Sequence, residues 1–431
     1  MSSKSLLIFV EEISERLIYT LDFVFNERGM QYELTNDYLY FSSADGYKFN
    51  YSNRFIQDVL QLIPSRVLFD EEYLEYDLTF DPFNSELCIG FDGVVDPLAS
   101  VFFQLVRYEE YTPLQRDEHN RFTATMSLAY KQGWLEKAMC DRWSFALIDW
   151  LTQSIGIPYS KEKNVLKVIP GFDIDNTYAY LLKEGWRTMA SNVKDFLQRN
   201  NESRVKRKKV LSGQEDDPYD TYDYLLSLES RGIHFFMFWL LGDFSRYDKN
   251  ISHLDPRHQR LIRSMDLHAE IGIHPSYRST LNATLVKEEK NRIEQILDHP
   301  ILHARQHFLK VELPTTYRNY INAGIAHDHS MGFADHIGFR CGTARPHYWF
   351  DVLNNKCTSL WIHPFVYMDG TLNEYMKLTP EESMPRILEL INEVRSMGGN
   401  FECIWHNETL TDNRHWSGWR NVLEYTLSLS D

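Results

Sequence analysis

From about residue 165 onward the chain repeats one rhythm: a short β-rich apolar run, a longer polar or helix-forming stretch, then another such run. The runs fall at 165–172, 233–241, 269–273, 302–305, 337–340, 360–366 and 401–405. Most of the intervening stretches are tens of residues long, enough to hold the crossovers that parallel strands require. The spacing therefore predicts a parallel sheet, either an open doubly wound one or a (β/α) barrel. No short internal repeat is present, which disfavours a solenoid.

At 431 residues the chain exceeds the roughly 250–300 residues at which a single hydrophobic core stops growing. Two domains are expected, a mixed α/β domain over 1–160 and the larger strand-and-crossover unit over 161–431. In the first, 6–10 reads as a buried strand. The segments 38–42 and 47–51 read as a hairpin around Asp45-Gly46, whose residues tolerate positive φ. Asp96-Pro97 predicts a helix start, with Asp as N-cap and Pro where its missing N–H costs nothing. Leu98, Val101, Phe102 and Leu105 then form one apolar face. Arg107-Tyr108-Glu109-Glu110-Tyr111 reads as the solvated end of that helix.

A formal net charge of −16 argues against nucleic acid as a partner, because a polyanion would be repelled over most of the surface. The basic tract 204–209 is short and is followed by Glu215, Asp216 and Asp217, so it reads as a locally paired surface. Five dispersed cysteines with no CxxC pair suggest reduced thiols and a cytoplasmic setting. The apolar stretch 6–10 runs straight into Glu11 and Glu12, which a secretory leader would not contain. The longest apolar run, 235–241, falls short of the ~20 residues that span a bilayer, so no transmembrane segment is expected.

Chemistry-bearing residues collect where the predicted strands end. Asp173 and Asp175, in Gly171-Phe172-Asp173-Ile174-Asp175, share a face because strand side chains alternate with period two. Two adjacent carboxylates ionise together only with a cation or donor between them, so they fit a metal ligand plus a base, or equally a helix-capping turn. His274 ends the strand before Pro275, the position of active-site residues in barrels. Arg305 and His307 close a third run, and Trp405-His406-Asn407 a fourth. Four such ends in chain order point to one shared site.

These motifs resemble those of the polysaccharide deacetylases, carbohydrate esterase family 4. GFDID is similar to their first motif, EIGIH to the start of their histidine motif, Arg305 to their third-motif arginine and IWHN to their closing histidine motif. The stretches 217–225, 327–343 and 367–372, with DPLASVFFQLVRYEEY (96–111), resemble a bacterial subgroup carrying an extra N-terminal domain. The resemblance implies a distorted (β/α)7-8 barrel, preceded by the smaller mixed α/β domain, that removes acetyl groups from N-acetylated sugars or glycan precursors in surface-polysaccharide synthesis. It implies Asp173 as general base, Arg305 as its holder, His406 as general acid, and Asp175 and His274 as ligands of a divalent metal. Zinc is expected first, with cobalt, manganese or nickel as alternatives.

The chemistry is coherent. A divalent cation lowers the pKa of water from 15.7 to about 7 and polarises a carbonyl oxygen, and each general acid or base contributes roughly 10²–10⁴-fold. One position departs from the pattern. The family's second metal histidine lies four residues after the first, and here that residue is Arg278, which has no acceptor. His307, two residues beyond Arg305, is the preferred replacement, with His327 and His329 as further candidates. Arg340, Asp369 and Trp405 are assigned to substrate binding, against competing readings of an ion pair with a buried acid, a turn and core packing. The missing histidine also leaves room for an amide hydrolase that acts on a small non-sugar substrate with little or no metal. A non-catalytic glycan-binding protein is the reading from a different class.

Overall fold

The computed structural model describes residues 5–112, 115–161, 163, 165–183, 185, 201–411 and 414–431. In the N-terminal part, β1 (Leu6–Phe9), β2 (Tyr32–Thr35), β3 (Tyr47–Asn50) and β4 (Leu60–Gln61) form a parallel sheet in the order β2-β1-β3-β4. A second, antiparallel sheet holds β5 (Leu78–Phe83), β6 (Glu86–Phe91) and β7 (Val94–Val95). The helix Pro97–Leu105 starts as expected, with the Asp96 carboxylate accepting from the backbone of Leu98 and Ala99. All of its residues are buried, so it is a core helix and not a surface one.

Two expectations fail here. The segment 38–42 is not a strand: Tyr38–Ser43 is a helix, because Asp37 caps it by accepting from the Leu39 and Tyr40 N–H groups. With no strand there, no hairpin forms, and β3 pairs parallel with β1. Arg107 and Glu110 are also not solvated. Arg107 Nε donates to Glu110 Oε1 at 2.7 Å, and both side chains are 1% exposed.

The larger sheet has nine strands: β8 (Lys167–Ile174), β9 (Phe236–Trp239), β10 (Glu270–Ile273), β11 (His303–Ala304), β12 (His327–Asp328), β13 (His347–Asp351), β14 (Lys356–Ile362), β15 (Phe365–Met368) and β16 (Asn400–His406). Their order is β13-β14-β12-β11-β10-β9-β8-β16-β15, all parallel except β13 against β14. The first parallel strand, β8, lies beside the last, β16, which is the chain order of a barrel. The hydrogen bonding is nevertheless not closed, because β14 and β15 are not paired. Only His363 and Pro364 separate those two strands, so the sheet must curl until its two margins approach. The loop after β12 spans the gap: Phe365 N donates to Met331 O at 3.2 Å, and Gly338 N to Val366 O at 2.9 Å. The expected run at 337–340 is this loop and not a strand. The run at 360–366 straddles the seam.

Side chains from the sheet and its covering helices build one large apolar core, including Phe172, Met237, Trp239, Ile273, Leu360 and Trp405. A second core gathers the N-terminal residues and takes in Phe333, Phe350 and Val352 from the C-terminal part. Ion pairs join the two parts. Arg340 Nε lies 2.9 Å from Glu110 Oε1, and Arg345 Nε lies 2.9 Å from Asp141 Oδ1. No helix among the described residues is long and apolar enough to cross a membrane.

Candidate metal centre and catalytic pocket

The carboxyl ends of β8, β10, β11, β15 and β16 surround a cavity of about 200 Å³. Asp173 is the penultimate residue of β8 and the register partner of His406 at the end of β16. Neighbouring strands lie ~4.8 Å apart, so this pairing sets the two side chains at the same height on the cavity floor. His274 and Arg305 follow the last residues of β10 and β11, and Asp369 follows β15.

Asp173 is held from one side. Arg305 Nη1 donates to its Oδ1 at 2.8 Å, with both side chains buried. The guanidinium is fixed in turn, because Arg305 Nε donates to His329 O at 3.0 Å and the group stacks 4.2 Å from the Phe238 ring. The closeness of Arg305 to β8 also explains Gly171, where a Cβ would lie 2.5 Å from Arg305 Nη2.

Asp175, His274 and His307 place one donor atom each within 4.8 Å of one another. His274 Nε2 lies 3.2 Å from Asp175 Oδ1, and His307 Nε2 lies 3.3 Å from Asp175 Oδ2. The opposite ring nitrogens are committed. His274 Nδ1 donates to the Arg305 carbonyl at 2.6 Å, which leaves Nε2 with its lone pair in the neutral ring. His307 Nδ1 faces Asp248 Oδ1 at 3.0 Å, the carboxylate–histidine arrangement that orients metal-ligating imidazoles. Asp175 Oδ1 is buried and accepts no hydrogen bond. An orphaned carboxylate oxygen beside two aimed imidazole nitrogens fits a divalent cation.

His307 reaches this set differently from expectation. β11 stops at Ala304, and His307 begins a short 3-10 turn, so the turn and not strand alternation aims its ring. Arg278 is exposed and lies outside the cavity lining. The alternatives His327 and His329 lie away from this triad and are taken up below.

The electrostatics follow from burial among opposed charges. Burial opposes ionisation of Asp175, but His307 and His274 outweigh it and hold the carboxyl well below its usual range. Burial likewise opposes charge on His307, yet Asp175 and Asp248 raise it to about 9. His406 is raised well above the ordinary value because Asp369, then Asp175 and Asp173, overcome its desolvation.

Asp369 and Glu408 add roles the sequence did not indicate. Asp369 is fully buried at the cavity wall behind His406: His406 Nδ1 is 2.9 Å from Asp369 Oδ1, and the His406 N–H donates to Asp369 Oδ2 at 2.8 Å. Glu408, on the cavity wall two residues beyond His406, is raised to about 7 by burial and then by Asp175. Asp248 lies in a loop without regular structure, and no motif marks it.

Two assignments to substrate binding fail on placement. Trp405 is fully buried and donates from Nε1 to the Tyr367 hydroxyl at 3.2 Å. It neighbours His406 on β16, and alternation sends it to the opposite face of the sheet. Arg340 is buried against Glu110, and neither residue lines the cavity.

Residues 6–156 match DUF7033, a family of unknown function. No curated protein matches the chain. Among solved structures, the chain is similar to a putative polysaccharide deacetylase from Mycobacterium smegmatis, at 14% identity and a TM-score of 0.40, over 64% of this chain and 88% of that one. It is also similar to Puue allantoinase, at 12% identity and a TM-score of 0.36, over 62% and 85%. Likeness of this size transfers no chemistry, and the side chains themselves carry the reading that follows.

Proposed function

We propose that this protein is a metal-dependent amide hydrolase that removes an acetyl group from an N-acetylated sugar or glycan precursor. The observation that carries the reading is the division of labour in one cavity. An arginine-pinned carboxylate, an Asp–His–His donor set and a carboxylate-backed histidine converge from different strand ends.

Asp175, His274 and His307 would hold a divalent cation, which when bound supplies Lewis acidity toward an amide carbonyl and acidifies water. Asp173 lies outside that donor set with Oδ1 taken by Arg305, so its other oxygen is the group placed to accept a proton from the attacking water. Arg305 keeps that carboxylate oriented. His406, raised above its usual pKa and held in one ring orientation by Asp369, donates a proton to the departing nitrogen. Phe308, Tyr375 and Trp416 on the cavity wall offer apolar surface for a sugar ring. The sugar class itself draws on the motif resemblance. Arg121, from the N-terminal part, bonds the Phe308 carbonyl and the Tyr375 hydroxyl, so that part helps shape the substrate wall.

The test is acetate release from N-acetylhexosamine conjugates on nucleotide, lipid and polymer carriers by zinc- or cobalt-loaded protein. Release that stops with a chelator and returns with metal is expected. Metal-loaded protein that releases no acetate from any of these carriers overturns the reading.

A further inference from the structure

A second set of metal-type donors lies lower inside the curled sheet, and the proposed reaction does not use it. Glu402 stands four residues before His406 on β16, so it shares that inward face but sits ~13 Å further down the strand. His329, just past β12, brings Nδ1 to 2.9 Å from Glu402 Oε2. His363, just past β14, brings Nδ1 to 3.6 Å from Glu402 Oε1. Their rings stack at 4.5 Å and 13°. One donor atom from each of the three residues falls within 4.8 Å of the others. The Phe238 ring, 5.2 Å from the His329 ring, carries Arg305 stacked on it and so stands between this cluster and the upper cavity.

The outward ring nitrogens are matched in parallel. His329 Nε2 lies 3.0 Å from His303 Nδ1, and His363 Nε2 lies 3.0 Å from His327 Nδ1. His303 Nε2 points on toward Glu270, 3.7 Å away. With a cation on the two inner Nδ1 lone pairs, each ligating ring keeps its N–H on Nε2, and each N–H has an acceptor in place. Outer partners of this kind orient metal-ligating imidazoles. A purely hydrogen-bonded cluster leaves the 3.6 Å gap between His363 and Glu402 unbridged, since that separation is too long for a hydrogen bond.

We propose that His329, His363 and Glu402 form a second divalent-metal site, whose imidazole and carboxylate donors are ones that zinc accepts. Its ligands come from beside β12 and β14 on one margin of the sheet and from β16 at the other. A cation there clamps the seam that backbone hydrogen bonds leave open between β14 and β15. The site is structural, and it stands independently of the catalytic reading.

The experiment counts tightly bound zinc per chain after loading and dialysis, and follows thermal unfolding with and without chelator. The wild type is expected to retain two equivalents. The double variant Asp175→Asn/His307→Gln is expected to retain one, together with a chelator-sensitive melting temperature. His363→Gln, a change at the accessible margin of the cluster, is expected to drop the wild type from two equivalents to one and, added to the double variant, to remove that chelator-sensitive stabilisation. A folded double variant that retains no zinc, or a folded His363→Gln protein that retains as much zinc as the wild type, overturns the proposal.

Discussion

His307 Nδ1 lies 3.0 Å from Asp248 Oδ1, while its Nε2 lies 3.3 Å from Asp175 Oδ2. One imidazole is thus held between two carboxylates, which raise it to about 9 against its burial. A cation can reach Nε2 only by displacing the proton that this arrangement retains. Below about pH 9 binding must therefore expel one proton, and affinity rises with pH by about tenfold per unit until that value is passed. Asp175 is already ionised throughout this range and adds no slope. Calorimetric titration of the first site at pH 6, 7, 8 and 9.5, made in His363→Gln protein, checks this. An affinity that does not change with pH contradicts it.

Asp173 and the donor triad separate chemistry from metal retention. Asp173→Asn removes the proton acceptor but none of the three grouped donors. The expected result is a fall in kcat of about 10²–10⁴-fold with bound metal unchanged. Metal analysis alongside acetate release distinguishes this from loss of the site.

Asp369 sets the working range of His406. The buried carboxylate holds the imidazole well above its usual pKa, and a general acid acts only while protonated. In Asp369→Asn the folded pKa of His406 falls, so the alkaline limb of the pH–rate profile moves to lower pH. A profile superimposable on the wild type would show that Asp369 does not tune the acid.

How much of this was readable beforehand depended on whether a position is set locally. Asp173 and Asp175 follow from period-two alternation, and His274, Arg305 and His406 from lying at strand ends. Trp405 was equally open to that rule, since a neighbour of His406 must face away. The helix at Tyr38–Ser43 carries a local signal, the Asp37 cap, that a hairpin reading around Asp45-Gly46 does not use. Asp248 could not be read: it reaches His307 across 59 residues of sequence from an irregular loop. β12 is two polar residues long, too short for any periodicity. The seam beside β14 is a property of the curled sheet as a whole and leaves no local trace.

Glu110 shows what the N-terminal part contributes. Arg340 and Arg107 hold it at about 2, overcoming the burial that would raise it. A carboxyl lowered in the folded state stabilises above its unfolded pKa of about 4.3, and that stability is lost as pH falls toward the folded value. Glu110→Gln leaves two buried guanidinium groups short of a counter-charge. The expected loss is about 3–5 kcal/mol near neutral pH, shrinking on acidification, as measured by denaturant unfolding at pH 7 and pH 3. An equal loss at both pH values would show that the charge contributes nothing.

Gly171 links backbone to chemistry. Alanine is ordinarily easier than glycine to accommodate in a strand, by about 0.5–1 kcal/mol, so Gly171→Ala would be neutral or favourable if only β8 were at stake. Its Cβ, however, would lie 2.5 and 2.6 Å from the two terminal nitrogens of Arg305. That guanidinium cannot retreat without leaving the Phe238 face and the His329 carbonyl, so it must give up Asp173. Gly171→Ala is therefore expected to fold and to retain metal in the upper site. Its kcat is expected to fall at least tenfold, because the carboxylate that accepts the proton is no longer held. Acetate release measured beside metal content decides the matter. Full activity in a folded, metal-loaded Gly171→Ala protein would show that the Arg305–Asp173 contact has no part in the reaction.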